Sequence, residues 1–181
     1  MKYNIKAIPQ MYADVQFRSR LEATWAAFFD ARGWKWEYEP FDLDGWIPDF
    51  KLCGDKGDLL VEVKPTDFRD EKFLRELGRK IAKATTEEVL ILGERPCYDV
   101  ESFGVTEGVI GTLICFDTDC PTVRCIFDPA ILNKDMDISG YLGSYVRRLS
   151  CFYDGNNDPV EQRFVDTAWK IAKNKTQWEK N

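Results

Sequence analysis

Histidine is missing from the sequence altogether. Its absence excludes Ser-His-Asp and Cys-His catalysis and every imidazole metal ligand, leaving any chemistry to carboxylates, lysine and thiols. Long hydrophobic runs are missing too. No stretch approaches the roughly 20 apolar residues that span a bilayer, and the opening Met1-Lys2-Tyr3-Asn4-Ile5-Lys6 lacks a signal-peptide apolar region. The six cysteines include no C-x-x-C pair, so we expect reduced thiols in a soluble, cytoplasmic chain with no membrane partner. Cys115, Cys120 and Cys125 are evenly spaced, and Cys97 or Cys151 could supply a fourth thiolate. Structural zinc sites usually contain a close pair, so buried thiols are the better account. There is no internal repeat, low-complexity tract or Gly-rich phosphate loop. A net charge of -6 argues, taken alone, against a nucleic-acid partner.

What is present suffices for a core. The chain has 181 residues, 44% hydrophobic and 14% aromatic, which fits one domain or one domain with a sizeable extension and argues against disorder. Residues 1 to 15 read as a poorly patterned arm. The spacing of Phe17, Leu21, Trp25 and Phe28 predicts a helix from Phe17 to Arg32, closed by Gly33. Trp34 to Glu39 alternates aromatic and charged residues, as a half-buried strand does, and Pro40 stops it. Asp70 to Thr85 predicts a second helix, with Phe73, Leu77, Ile81 and Ala84 on one face and Lys72, Arg75, Arg79 and Lys83 on the other. Such a basic stripe is either a solvated face or a phosphate-backbone contact. Glu88 to Gly93 reads as a buried strand, which makes the second helix a crossover and the sheet mixed. Further on, Val109 to Phe116 and Val123 to Phe127 read as strands, and Tyr141 to Leu149 and Pro159 to Asn174 as helices.

The chain is organised around Gly45 to Pro65. Two short apolar segments there, predicted strands, flank the Gly-rich turn Cys53-Gly54-Asp55-Lys56-Gly57. Asp49 lies in the first segment, and Glu62 and Lys64 in the second. Two residues apart, Glu62 and Lys64 leave one face of a strand while Val61 and Val63 leave the other. Isolated charges cost several kcal/mol in such surroundings, so these groups want one another or a metal. Asp49 and Glu62 are hard oxygen ligands suited to Mg²⁺. Lys64 would orient a water or balance charge on a phosphoryl transition state. Glu22 has two readings: a capping box with Ser19 at the first helix's start, or a carboxylate aimed along the core edge at Asp49. A buried Lys-carboxylate pair that merely fixes strand register is the structural alternative for the cluster as a whole.

Phe17-Arg18-Ser19-Arg20-Leu21-Glu22, then Trp36-Glu37-Tyr38-Glu39, Pro48-Asp49-Phe50 and Glu62-Val63-Lys64 together resemble the PD-(D/E)XK nuclease superfamily. In order and spacing the series is most similar to phage junction-resolving endonuclease I and transposase endonuclease subunits, over about residues 15 to 95. The resemblance implies an α/β fold: a restriction-endonuclease-like core, a central mixed β-sheet flanked by helices, in residues 1–95. Residues 96–181 would form an α+β C-terminal extension completing the sheet and adding helices. It implies a Mg²⁺-dependent endonuclease hydrolysing DNA phosphodiesters, with Mn²⁺ able to substitute, in phage or mobile-element DNA processing. In-line attack by water would leave a 5′-phosphate and a 3′-hydroxyl. By the same resemblance Glu22, Asp49 and Glu62 match the metal-binding acids, the Val63 carbonyl a further ligand, and Lys64 the catalytic lysine. The basic residues placed to meet DNA are Arg18, Arg20, Lys72, Arg75, Arg79 and Lys83, with Arg147-Arg148 a further pair. Trp34, Trp36 and Trp46 are either core or platforms for unpaired bases. A second copy of the chain and a phage or host protein are the further partners envisaged, with the host cytoplasm as location if the chain is phage-encoded. The alternative function is a catalytically inactive nuclease-fold protein acting as a DNA-binding or protein-interaction module.

Overall fold

A computed structural model describes residues 7–54, 57–66, 70–96, 108–117, 124–134, 137–140, 146–147 and 158–177. An N-terminal hairpin, β1 (Gln10–Tyr12) and β2 (Val15–Phe17), leads into helix α1 (Arg20–Ala31). Strands β3 (Lys35–Tyr38), β4 (Phe50–Cys53) and β5 (Leu59–Val63) follow as an antiparallel run. Helix α2 (Glu71–Ile81) then crosses to β6 (Val89–Leu92), which lies parallel to β5. The second half adds β7 (Val109–Asp117), β8 (Arg124–Leu132), β9 (Ile138–Gly140), β10 (Val146–Arg147) and helix α3 (Gln162–Lys175). All eight strands from β3 onward form one sheet in the order β10-β9-β8-β7-β6-β5-β4-β3. The chain is thus α/β, with a mixed sheet and helices on both faces.

Alternation along the strands divides the core in two. Phe50, Leu52, Leu59, Val61, Val63, Leu90 and Leu92 pack with α1 and α3, whereas Leu60, Val89, Ile91 and Ile114 pack with Leu74, Leu77 and Ile81 of α2. Helix α1 is buried without interruption from Ala23 to Phe29, since α3 covers it through the Trp25–Trp169 contact (centroids 4.5 Å apart). The Trp25 indole N–H ends on the carbonyl of Gly93 at 2.9 Å, pinning α1 to the end of β6. Strands β6 and β7 approach so closely that a Cβ at Gly111 would stand 2.3 Å from the Ile91 carbonyl oxygen.

The second helix is shorter than expected, ending at Ile81 with Ala82 to Ala84 in a turn, and two other stretches differ in kind from the sequence expectation. The N-terminal arm is a hairpin from Gln10 to Phe17, turned by Ala13 (φ 49°) and Asp14 (φ 60°). A two-residue turn with both centres at positive φ ordinarily advertises itself as Asn-Gly or Asp-Gly; Ala-Asp does not. Phe17 therefore closes β2, where its ring meets Trp36, Tyr38 and Phe50, and the helix starts at Arg20. Within the helix predicted over Tyr141 to Leu149, Val146–Arg147 is a short strand paired with β9. So brief an apolar pattern does not distinguish strand from helix, and sheet pairing decides it. The rest of that segment, Arg148 included, lies outside the described residues, as do Cys97, Cys120 and Cys151.

Candidate active site

Three of the four predicted catalytic residues meet on the α2 face, at the ends of β4 and β5. The β4–β5 ladder stops at the Phe50–Val61 pair. One residue further, the Asp49 side chain takes over from backbone: its Oδ2 accepts the Val63 N–H at 2.7 Å. That bond places a carboxylate at the mouth of β5, where Glu62 and Lys64 leave the strand on the same side. The Lys64 Nζ lies 2.7 Å from Glu62 Oε1, 3.3 Å from Asp49 Oδ2 and 3.1 Å from the Val63 carbonyl oxygen. Asp49 and Glu62 are 6% and 3% exposed, while the Lys64 side chain keeps 32% of its surface open to solvent. The site is therefore a buried acidic pair facing a half-open lysine.

The charges act on one another strongly. Burial, with the charge of Asp49 added, pushes the Glu62 carboxyl above the ordinary carboxylate range, against the pull of Lys64 and of the Trp46 N–H. Burial also works against the Lys64 ammonium, but the charges of Asp49 and Glu62 outweigh it, and the lysine's pKa rises. Two anions thus hold a proton on Lys64.

Glu22 stands apart from this cluster. Ser19 caps α1, accepting the Glu22 N–H at 3.2 Å, and the Ser19 hydroxyl in turn donates to Glu22 Oε1 at 2.8 Å. The other oxygen, Oε2, accepts the Tyr38 hydroxyl at 2.6 Å. Burial and this bond to Glu22 push the Tyr38 phenol above its ordinary pKa. Arg18 feels the charge of both acidic centres. Its pKa is lowered by burial but raised more by Tyr38, Asp49 and Glu22, and its guanidinium pairs with Glu39. The capping-box geometry expected as one reading of Glu22 is thus present.

Do the donors suit a divalent cation? Asp49 Oδ2, Glu62 Oε1 and the Val63 carbonyl are all hard oxygens, two of them anionic, and all three converge on the point that Lys64 Nζ holds. That set fits Mg²⁺ or Mn²⁺. A third carboxylate is not with them: among the described residues no three Asp, Glu or Cys side chains gather as a metal site. The chain matches no family model, no curated protein and no solved structure. Function must be read from the site itself.

The remaining predicted residues fall into place by exposure. Arg20, Lys72, Arg75, Arg79 and Lys83 are exposed, the last four along the outer side of α2 and its C-terminal turn. Trp34 and Trp46 are 6% and 3% exposed and so are core side chains, not open stacking platforms; Trp36 is half-buried and donates to Asp30 Oδ1 at 2.9 Å. Cys115 is buried, with its thiol 3.7 Å from Glu88 Oε1. Trp46 and Tyr38 bond to the predicted acids, a part that the sequence pattern did not assign to them. The signal for Trp46 was its polar handle, since a buried indole N–H needs an acceptor.

Proposed function

We propose that the protein is a divalent-metal-dependent endonuclease that hydrolyses DNA phosphodiester bonds. Its first half would be a restriction-endonuclease-like core. The single observation that carries this reading is the convergence of Asp49 Oδ2, Glu62 Oε1 and the Val63 carbonyl on the point that the Lys64 ammonium holds. The element order α1-β3-β4-β5-α2-β6 supports it further. Asp49, Glu62 and the Val63 carbonyl would hold Mg²⁺, or Mn²⁺ in its place. A cation there supplies charge neutralisation and Lewis-acid polarisation of a phosphoryl oxygen. The protein's own part is to supply the anionic pair pre-set by the Val63 N–H, and an ammonium that remains protonated at neutral pH. Released toward its solvent-open side, that ammonium would meet developing negative charge on the phosphoryl group. Arg18 stands ready for a flanking phosphate, in exchange for Glu39.

The deciding experiment is incubation of plasmid and of a synthetic four-way junction with the protein and Mg²⁺, Mn²⁺ or chelator. Metal-dependent nicking that disappears in Lys64→Ala is the expected outcome. No cleavage of either substrate with either ion rejects the reading.

One observation favours a second reading. Lys64, Asp49 and Glu62 satisfy one another, and Glu22 is satisfied by Ser19 and Tyr38, as in a nuclease-fold protein that only binds DNA or another protein. Calorimetric titration with Mg²⁺ separates the two, because a silent module has no need of the ion.

A further inference from the structure

We infer that Trp46 is a positioning residue: its indole N–H fixes Glu62 so that a single carboxylate oxygen is offered to the cation. The inference rests on the reading proposed above and assigns to the same site a residue that neither the acidic cluster nor its lysine includes. The indole Nε1 donates to Glu62 Oε2 at 3.1 Å, leaving Oε1 to face Lys64. Such a division selects one-oxygen over two-oxygen presentation of Glu62. The donor is also uncharged. It steadies the ionised carboxylate without placing a second positive charge where it would repel a divalent ion, as a lysine or arginine in that position would.

The indole is itself held on both sides. Leu43 and Trp46 exchange two backbone hydrogen bonds, at 2.8 and 3.0 Å, across a tight turn with Asp44 at φ 50° and Gly45 at φ 88°. Asp42 Oδ1 accepts the Gly45 N–H at 2.8 Å and braces that turn. The ring belongs to the same buried cluster as Leu60 of β5 and Leu74, Leu77 and Ile81 of α2. With only two side-chain torsions, both fixed by packing, the indole cannot leave Glu62 without opening the α2-side core. Helix α2 therefore reaches the acidic pair through Trp46, though α2 contributes no group to that pair.

The test is calorimetric titration of Mn²⁺, and then Mg²⁺, into the full chain. Trp46→Phe keeps an aromatic ring in the core and deletes the N–H; the affinity should fall about 10- to 100-fold, the range for removing a partner that orients a metal ligand. Ile114→Val trims the same buried cluster without touching Glu62, the indole N–H or the turn, and should leave affinity near that of the unsubstituted protein. Should Trp46→Phe fail to fold, a benzothiophene analogue of the indole at position 46 keeps the bicyclic shape, lacks the donor and is expected to weaken the metal equally. Undiminished affinity in the folded Trp46 variants overturns the inference, and so does an equal loss in Ile114→Val, which would reduce Trp46 to packing. If the unsubstituted chain binds neither ion, the proposed function falls first and this inference with it.

Discussion

Asp49 serves the backbone and the site with one oxygen. It caps the ladder by accepting the Val63 N–H and also faces Lys64. Asp49→Asn keeps an acceptor for the amide and removes the charge, so under the proposed nuclease function we expect cleavage to drop by at least about 100-fold, with the thermal midpoint nearly unchanged. Parallel rate and circular-dichroism measurements check both halves. Glu22→Gln keeps one acceptor oxygen for the Ser19 or Tyr38 hydroxyl and offers an N–H to the other. We expect it to cost about 1 kcal/mol or less of stability, the scale of a helix-cap change, and to slow cleavage far less than Asp49→Asn; a rate loss matching that of Asp49→Asn would place Glu22 among the metal ligands. Away from the site, Tyr12 on β1 donates to Asp30 Oδ2 at 2.7 Å, and burial followed by that bond lifts its phenol from 10.0 to about 12. The folded state thus favours the protonated phenol. This contribution is whole below pH 10 and is lost as pH rises toward about 12. Tyr12→Phe should flatten that alkaline limb of the stability profile, measured as the thermal midpoint against pH.

At the scale of elements, what the sequence showed plainly was whatever has a strict period. The alternation of Trp36, Glu37 and Tyr38 and the pair of segments around Cys53–Gly57 lie where the pattern puts them, and so does the two-faced α2 as far as Ile81. So do Asp49, Glu62 and Lys64, because strand alternation alone sends Glu62 and Lys64 to one side. Hidden from the sequence were features that depend on a distant partner. The Ala13-Asp14 turn is held by β1–β2 pairing rather than by its own residues, and Trp46 meets Glu62, sixteen positions on, only once the α2-side core has formed. Gly111 is another such case, legible only from the carbonyl of Ile91 beside it. Gly111→Ala should cost about 1–3 kcal/mol, as overpacking does, read as a lower urea midpoint at unchanged slope.

The whole molecule is acidic, yet the basic side chains proposed to meet DNA are not dispersed evenly. Lys72, Arg75, Arg79 and Lys83 line the outside of α2 and the turn that follows it, the helix whose inner residues share a buried cluster with Trp46. If they touch phosphates, replacing all four by Ser should weaken duplex binding at low salt. The slope of log K against log salt should then shrink by about 0.9 for each phosphate no longer neutralised. Fluorescence anisotropy at a series of salt concentrations measures it, and an unaltered slope leaves the stripe as solvated surface. At one end of the sheet, β3 is the outermost strand and presents exposed Lys35 and Glu37 alternately with its inward aromatics. Charges on such a rim oppose the zipping of neighbouring molecules strand to strand, where bare backbone would otherwise template a filament. Any pairing of two copies along that rim is disfavoured, which leaves the broad plane of the sheet intact as the platform on which Asp49 and Glu62 are mounted.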